Sequence, residues 1–482
     1  MVPIDSPRRP LTPRPSAASA RSEVDLILFL PIVPPNAQPA RCVQCAVQTP
    51  VSRLLPRRSF LQRSAIAAAG VGCVRVQWGF SASAPAANNK LNLGIIGVAG
   101  RGGDNLRGVA SENIVALCDV DDHNLAAAAE KFPAAKTYND FRRLLDQKEI
   151  EAVVVSTPDH THAVAAVGAL KSGRHLYCEK PLTRTVSECR IVTELARRKK
   201  LVTQLGTQIH AENNYRRVVE LVQTGAIGPV SEVHVWVNVA YGGKERPQDT
   251  PPVPPHLHYD LWLGPVPYVP YHPEWVPFAW RNWWAFGGGG LADFGCHFMD
   301  LPFWALGLSH PLTIEPVDGP PVHPDATPPW LIVRYEFPAR GDQPPVKLTW
   351  YQGGKQPGLL SEELAKQWRS GVLFVGAKGS LIANYSHHQL LPEKDFETFV
   401  RPEPFIKKSL GHHKEWIDAI KTGGQTSCPF DYSGPLTEAA LLGNVAFRTG
   451  KKLEWNFETL RAVNCREAAA FIQHRYRNGW SI

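Results

Sequence analysis

Two short stretches carry side chains that make poor packing material but useful chemistry. The first is Glu179-Lys180-Pro181, directly after the apolar run "HLYC". A carboxylate, an ammonium and a rigid imino acid at the end of a strand make sense where the strand tip meets a ligand. An ammonium there can stabilise a developing oxyanion or pass on a proton. Taken alone, the triplet also reads as a surface Glu-Lys pair before a Pro that starts a helix. The second stretch is "WRNWWAFGGGGLADFGCHFMDLPFWALGL", 280–308, in which Gly287 to Gly290 lead into a helical pattern bearing Asp293, His297 and Asp300. Spacings of four and three residues put these three on one helical face, while Leu291, Phe294, Phe298 and Leu301 occupy other sides. An imidazole titrating near neutrality suits proton removal. Metal binding by Asp293 and His297 is the rival reading.

The elements around the first stretch follow a repeated order. "LNLGIIG" is an apolar strand running into the Gly-rich turn "VAGRGGDNLRG", which opens a helix. "NIVALCDVD" is a second apolar strand ending on Asp119, twenty-two residues after Gly97. Then come the helix "HNLAAAAEKF", the strand within "IEAVVVSTPDHTHA", a helix through Leu170, and "HLYCEKPL". Buried strands alternating with helices predict a parallel sheet with helical crossovers. The Gly run between strand and helix is then a dinucleotide fingerprint. Gly97 allows the tight turn, Gly102 allows close helix packing, and the helix amides meet a pyrophosphate. Ala99 stands where a middle Gly is expected; Gly100 shares its task, and Arg101 belongs to the same loop. Asp119 is placed to bind both ribose hydroxyls, and its charge would repel a 2′-phosphate, which favours NAD over NADP. Thr157-Pro158 bends the chain away at the carboxyl edge of the sheet, where ligands of open α/β folds bind. His160 and His162 have no Cys or carboxylate at ligand spacing. They are expected to cap the next helix or to line the nicotinamide pocket, His162 among the cofactor contacts, and no metal is assigned.

Beyond this point "GTQIHAENNYRRVVELVQTGAIG" leads out of the nucleotide fold, with Gln208 close to the pocket. "VSEVHVWVNV", "WLIVRYEFP", "VKLTWYQGG" and "GVLFVGAKGSLIANY" have a two-residue period and many β-branched residues. They predict a largely antiparallel sheet with helices on one face. The fold class is therefore an α/β Rossmann parallel-sheet domain, 91–210, followed by an α+β domain, 211–482, with a large, mostly antiparallel open sheet and C-terminal helices. The aromatic connection 251–286 is too long for a turn. Its Trp and Tyr residues would suit stacking on sugar rings or, for most of them, core packing.

The net charge of +8 is confined to the leader. Residues 1–90 carry eleven Lys and Arg against Asp5, Glu23 and Asp25, and the remainder is balanced. The body therefore gives no sign of a nucleic-acid partner. Residues 1–84 read as a disordered leader. Within it, 56–84 has the order of an export signal: Arg57-Arg58 with Phe60-Leu61, then "AIAAAGVGCV", then Ala82-Ser83-Ala84. It resembles a twin-arginine signal, which makes the translocation machinery a partner and the periplasm the destination. The apolar stretch is too short for a stable membrane span. The Pro- and Arg-rich residues before it point to a translation start near Val51. Cys118, Cys178, Cys189, Cys296, Cys428 and Cys465 are scattered singly through apolar stretches, as buried thiols would be.

The E-K-P after a Rossmann strand, the Gly turn with Asp119 and the D-x-x-x-H helix together resemble the glucose–fructose oxidoreductase / inositol dehydrogenase (Gfo/Idh/MocA) family, over about residues 91–455. The resemblance implies binding of NAD or NADP and hydride transfer at a hydroxyl or carbonyl of a sugar or cyclitol. It implies that Lys180 reaches the reacting oxygen, with Pro181 after a cis peptide. His297 would be the general base and Asp293 a ligand for a neighbouring hydroxyl, with Arg281 and Asp300 as further substrate contacts. Glu179 would anchor the nicotinamide ribose or Lys180. The sheet of the second domain would mediate a homo-oligomer. Export adds the expectation that the cofactor stays tightly bound. The alternative activity is an NAD-dependent glycoside hydrolase using transient oxidation. A nucleotide-binding protein without catalysis is argued against by the intact pair Lys180 and His297.

Overall fold

The computed structural model describes residues 89–482, all within one compact unit, Gly79–Ile482. The twin-arginine pattern, the cleavage site and Val51 lie outside the described residues. From Asn92 the chain alternates strand and helix: β1 (Asn92–Ile96), α1 (Arg101–Gly108), β2 (Asn113–Cys118), α2 (Asp122–Ala129), β3 (Lys136–Tyr138), α3 (Phe141–Leu145), β4 (Ala152–Val155), α4 (Asp159–Lys171), β5 (His175–Cys178), α5 (Val186–Lys199) and β6 (Thr203–Leu205). The six strands pair in parallel in the order β3-β2-β1-β4-β5-β6. The central strands need apolar side chains on both faces because helices cover both, and β4, Ala-Val-Val-Val, is buried at every position. The winding reverses between β1 and β4, so the loops leaving their carboxyl ends part and leave a crevice.

At the first of these loops Gly97 has φ 84°, and a Cβ on it would lie 2.6 Å from the Ser156 carbonyl oxygen. Gly102 is tighter still: a Cβ there would come within 2.1 Å of the Gly97 carbonyl oxygen. These contacts press α1 against the strand ends.

The second part continues through α6 (Asn213–Gln223), β7 (Val230–Val237), α7 (Tyr259–Leu263), α8 (Gly289–Phe298), α9 (Asp300–Leu306), β8 (Thr313–Asp318), β9 (Leu331–Phe337), β10 (Val346–Gln352), α10 (Glu362–Gln367), β11 (Gly371–Gly376), β12 (Gly379–Ala383), β13 (His388–Leu391), α11 (His412–Thr422), α12 (Phe430–Thr449), β14 (Leu453–Asn456), β15 (Arg461–Ala462) and α13 (Ala469–Ile472). Nine strands form one sheet in the order β13-β12-β11-β7-β10-β9-β8-β14-β15, antiparallel except for the parallel pair β7 and β10. The fold is thus a parallel six-stranded Rossmann sheet followed by a mixed, mostly antiparallel sheet. In β9 burial alternates strictly, with Leu331, Val333, Tyr335 and Phe337 facing the core. That core is completed by α6, α8, α9 and α12. The 20-residue α12 packs on both α5 and α8, so one helix braces the strand layer and the site helix together.

The aromatic connection 251–286 has little regular structure. Tyr259, Trp262, Trp275, Trp280, Trp283 and Phe286 bury against one another as a separate cluster. His160 Nε2 hydrogen-bonds the Trp262 carbonyl at 2.7 Å and fastens this cluster to α4. The six cysteines of the described residues are buried free thiols. No helix among those residues is long and apolar enough to cross a membrane.

Gly102→Ala would drive a methyl into the Gly97 carbonyl, and overpacking of this kind costs about 1–3 kcal/mol. The expected outcome is a lower denaturant midpoint; an unchanged midpoint would contradict the packing of α1 on the first loop.

Candidate functional site

The carboxyl-end loops of the Rossmann sheet border a cavity of about 620 Å³. Gly97, Ala99, Gly100 and Arg101 line it from the first loop and Asp119 from the second, followed by Thr157, Pro158, Glu179, Lys180 and Gln208. The opposite wall is made by Tyr241, Trp280, Arg281, Asp293 and His297. Residues from both halves of the chain therefore face one space.

On the nucleotide side, Gly100 (φ 52°) precedes α1 and lines the cavity with Gly97, Ala99 and Arg101. A positive helix end and a glycine turn form a cradle for a phosphate. Asp119 accepts the Val98 N–H at 3.0 Å with one oxygen and the Asp121 N–H at 3.0 Å with the other. Burial pushes its carboxyl up, and the two amides oppose that shift. Each oxygen keeps a lone pair for a ribose hydroxyl. Glu179 takes Arg101 Nε and Asn105 Nδ2, both at 2.9 Å, on one oxygen. Burial works against the Arg101 charge, but Glu179 more than offsets it and holds the guanidinium above its ordinary value. Asn105 also accepts His413 Nε2 at 2.9 Å, so Arg101 is held by a chain of contacts reaching α11. The turn, Asp119 and the adjoining volume fit a dinucleotide.

On the facing side, Lys180 Nζ bonds the Asp293 carboxylate and, at 2.9 Å, the Asp293 carbonyl. The other Asp293 oxygen accepts the Tyr241 O–H at 3.0 Å and lies 3.3 Å from Arg281 Nε. Burial alone would raise the Asp293 carboxyl; Lys180 and Arg281 outweigh it and hold the group well below the usual carboxylate range. Arg281 lies 4.1 Å from the Trp280 ring centroid, which fixes its plane beside the cavity. His297, one turn along α8, is held by burial and by the Lys180 charge well below its ordinary pKa, with Asp293 opposing. Its ring is neutral, and its buried Nδ1 has no partner. The glycines before α8 serve close packing: Gly289 has φ 63°, and a Cβ there would sit 2.8 Å from Thr327 Cβ.

Three expected site residues stand elsewhere or act differently. Asp300 does not share the face of Asp293 and His297, because α8 ends at Phe298 and a new helix begins at Asp300. Pro302 would clash with the preceding turn of a continuous helix but fits the first turn of a new one. Asp300 is fully buried, with His210 Nδ1 at 3.0 Å and the Tyr432 O–H at 2.7 Å, away from the cavity wall. His162 does not line the cavity; its nitrogens meet the Pro181 and Thr157 carbonyls, each at 2.7 Å, so it braces the loop carrying Lys180. Gly102 also lies off the wall, beneath Gly97. Pro181 does follow a cis peptide. Two further imidazoles are taken up by protein: His412 Nε2 meets the Leu205 carbonyl at 2.7 Å, and His413 Nε2 meets Asn105 Oδ1 at 2.9 Å.

Two wall residues escaped the sequence reading. Tyr241 stands in a loop before Gly242, with no pattern to mark it. Asp159 opens α4 directly after Thr157-Pro158, where an acid reads as an ordinary complement to the helix dipole. Only the covering segment 251–286 makes it a buried acid facing Arg281 and Lys180.

Comparisons with known proteins bear on the family and the fold. Residues 91–207 match the model of an oxidoreductase family described as an NAD-binding Rossmann fold, and 214–343 match its C-terminal alpha/beta domain, together more than half of the chain. An inositol 2-dehydrogenase of Salmonella paratyphi B is 33% identical over 150 residues, 30% of this chain and 45% of the relative. A glycosyl hydrolase family 109 protein of Solibacter usitatus is 35% identical over 150 residues, 28% of this chain and 34% of the relative. In both, the match spans less than half of the relative's length. The WlbA dehydrogenase of Bordetella pertussis, solved with NADH and UDP-GlcNAcA, superposes with a TM-score of 0.55 over 76% of this chain and 99% of its own. At 15% identity this is a likeness of fold.

Burial lifts the Asp159 carboxyl from its ordinary 3.8 to about 8, with Arg281 opposing and Asp293 adding to the shift. Between those values the folded chain keeps a proton that the unfolded chain releases. The group's contribution to stability therefore falls as pH rises. The stability of Asp159→Asn relative to the parent is expected to rise with pH across that window, measured as denaturant midpoints. A difference that stays flat would contradict the buried, neutral acid.

Proposed function

The chain belongs to the Gfo/Idh/MocA oxidoreductase family, and on that premise we propose that it is an NAD-dependent enzyme acting on a CH–OH group of a sugar or cyclitol. The observation that carries the proposal is that Lys180 and His297 line the same cavity as the glycine turn and Asp119. Gly97, Gly100 and the first turn of α1 would hold the pyrophosphate, with Arg101 beside it. Asp119 would take the ribose hydroxyls, and Thr157, Pro158, Glu179 and Gln208 would border the nicotinamide. NAD, when bound, supplies the hydride acceptor.

The neutral His297 ring accepts the hydroxyl proton as the carbinol carbon gives up its hydride and becomes a carbonyl. The Lys180 ammonium, steered by Asp293, faces the oxygen on which charge develops. In the opposite direction the imidazolium returns the proton. Asp293, Arg281, Tyr241 and Asp159 offer donors and acceptors close together beside Trp280, as a polyhydroxylated ring requires. Asp300 has no part in this reading.

The Asp119 carboxylate supports NAD over NADP, because a 2′-phosphate would meet a like charge. A redox-neutral glycoside hydrolase is the second reading, favoured by the likeness to the Solibacter protein. An aryl glycoside cleaved with no net change in nicotinamide would select it. Export with the nucleotide already bound rests on residues 56–84 alone, and release of nucleotide on denaturing protein from the exported fraction is its test. Self-association through the nine-stranded sheet comes from the family resemblance; a monomer in sedimentation velocity would remove it.

Lys180→Met and His297→Gln are each expected to lower kcat by about 10²–10⁴-fold while dinucleotide affinity stays unchanged. Retained turnover in both variants would overturn the assignment. Replacing Asp119 by Ser is expected to erase most of the preference for NAD in kcat/KM; an unchanged preference would remove its role.

A further inference from the structure

A second cavity, of about 50 Å³, lies apart from the dinucleotide crevice, between the loop after Lys180, the start of α8, the end of α12 and the C-terminal segment. Its chemistry is one-sided. Arg184, Arg448 and His474 line it, and no Asp or Glu does. Arg184 Nη1 donates to the Trp284 carbonyl at 3.1 Å, but Nε and Nη2 are buried without an acceptor, and His474 Nε2 is buried without a partner. Glu188, which acts on Arg184 through space, has its oxygens on the Thr185 N–H and the Tyr476 O–H. Arg448 stacks between Trp284 and Phe471, at 4.8 and 4.1 Å from their centroids, and neither ring offers it an acceptor.

Buried charges in proteins are ordinarily paired, and an unpaired one is strongly unfavourable. Arg184 has buried N–H groups without an acceptor, the partly buried Arg448 adds a second positive charge, and no carboxylate lines the cavity, so an anion would complete the set. The α8 N-cap, Gly288, also lines the cavity and adds the positive end of a ten-residue helix. A water needs about 10–15 Å³ of such volume, so the space takes a few waters or one tetrahedral anion.

We infer that this cavity binds one small oxyanion, phosphate or sulfate, held by Arg184, Arg448 and His474. Burial and the mutual repulsion of the cations push Arg448 down to about 10 and His474 to about 4, and a bound anion relieves both. The anion joins the loop four residues after Lys180 to the loop that starts the helix of Asp293 and His297. It thus cross-links the two segments that the cavity chemistry needs in register.

The test is equilibrium dialysis of labelled phosphate against the full chain, at constant ionic strength in NaCl and with NAD saturating so that the dinucleotide cradle is filled. One phosphate per chain is expected, displaced by sulfate but not by added chloride. Arg448→Met should weaken it by about tenfold or more, the loss of one charged partner, and His474→Gln should weaken it less. Arg101→Ala, in the dinucleotide cradle, should leave it unchanged. Absence of saturable binding, or displacement by chloride at parity, would overturn the site. So would binding that follows Arg101 rather than Arg448. If Arg448→Met does not fold, the stoichiometry in the parent and the His474→Gln titration still decide.

Discussion

The ammonium of Lys180 and the carboxylate of Asp293 meet where their side chains are only 13% and 8% exposed. Nearly everything else in the cavity is arranged around that contact. It ties the tip of β5 to α8, 113 residues later in the chain. A buried pair adds little net stability, because desolvation offsets most of its attraction. Its value is directional: the contact sets the register of the β5 tip against α8. Tyr241 and Arg281 use the second carboxylate oxygen, which leaves Asp293 little freedom to rotate. The His162 contacts with Pro181 and Thr157 fix the Lys180 loop from below.

That contact also sets the charge of the wall. Lys180 and Arg281 are cations, Asp293 is an anion, and Asp159 stays protonated in the neutral range. Arg101 and Glu179 cancel each other. The balance beside His297 is therefore one positive charge, aimed at a cavity with partly apolar walls. This suits negative charge developing on a substrate oxygen better than it suits the neutral alcohol, which is the asymmetry catalysis requires. Burial, helped by the Lys180 charge, keeps His297 neutral and able to accept a proton. The second cavity has its own excess of positive charge, from Arg184 and Arg448 with no lining carboxylate, and the proposed anion offsets it.

The nucleotide half was legible because its signals are local. The turn at Gly97, the spacing to Asp119 and the strand before Glu179 each lie within one βα unit, and short-range sterics decide them. Lys180 and His297 were legible as residue types at telling positions, although no periodicity states that they share a cavity. Asp300 misled for a definite reason: helical spacing was extended across Met299, although Pro302 three residues on disfavours a continuous helix there. Asp159 and Tyr241 were invisible because their burial depends on the irregular segment 251–286, whose path is set by mutual packing of Trp262, Trp275, Trp280 and Trp283 rather than by any repeat. His162 looked like a pocket residue and is a brace, a distinction that depends on which carbonyls its ring meets.

The central claim is that one cavity brings a neutral imidazole and an anchored ammonium to the carbon that loses hydride. The most direct measurement mixes the NAD-loaded protein rapidly with a panel of sugars and cyclitols and follows nicotinamide reduction in a single turnover. Each active compound is then compared with its carbinol-deuterated form. The account predicts that at least one compound reduces the nicotinamide and that deuterium at the reacting carbon slows the step. A loaded protein whose nicotinamide is reduced by none of them, or reduced at a rate indifferent to deuterium and to the loss of His297, would contradict it.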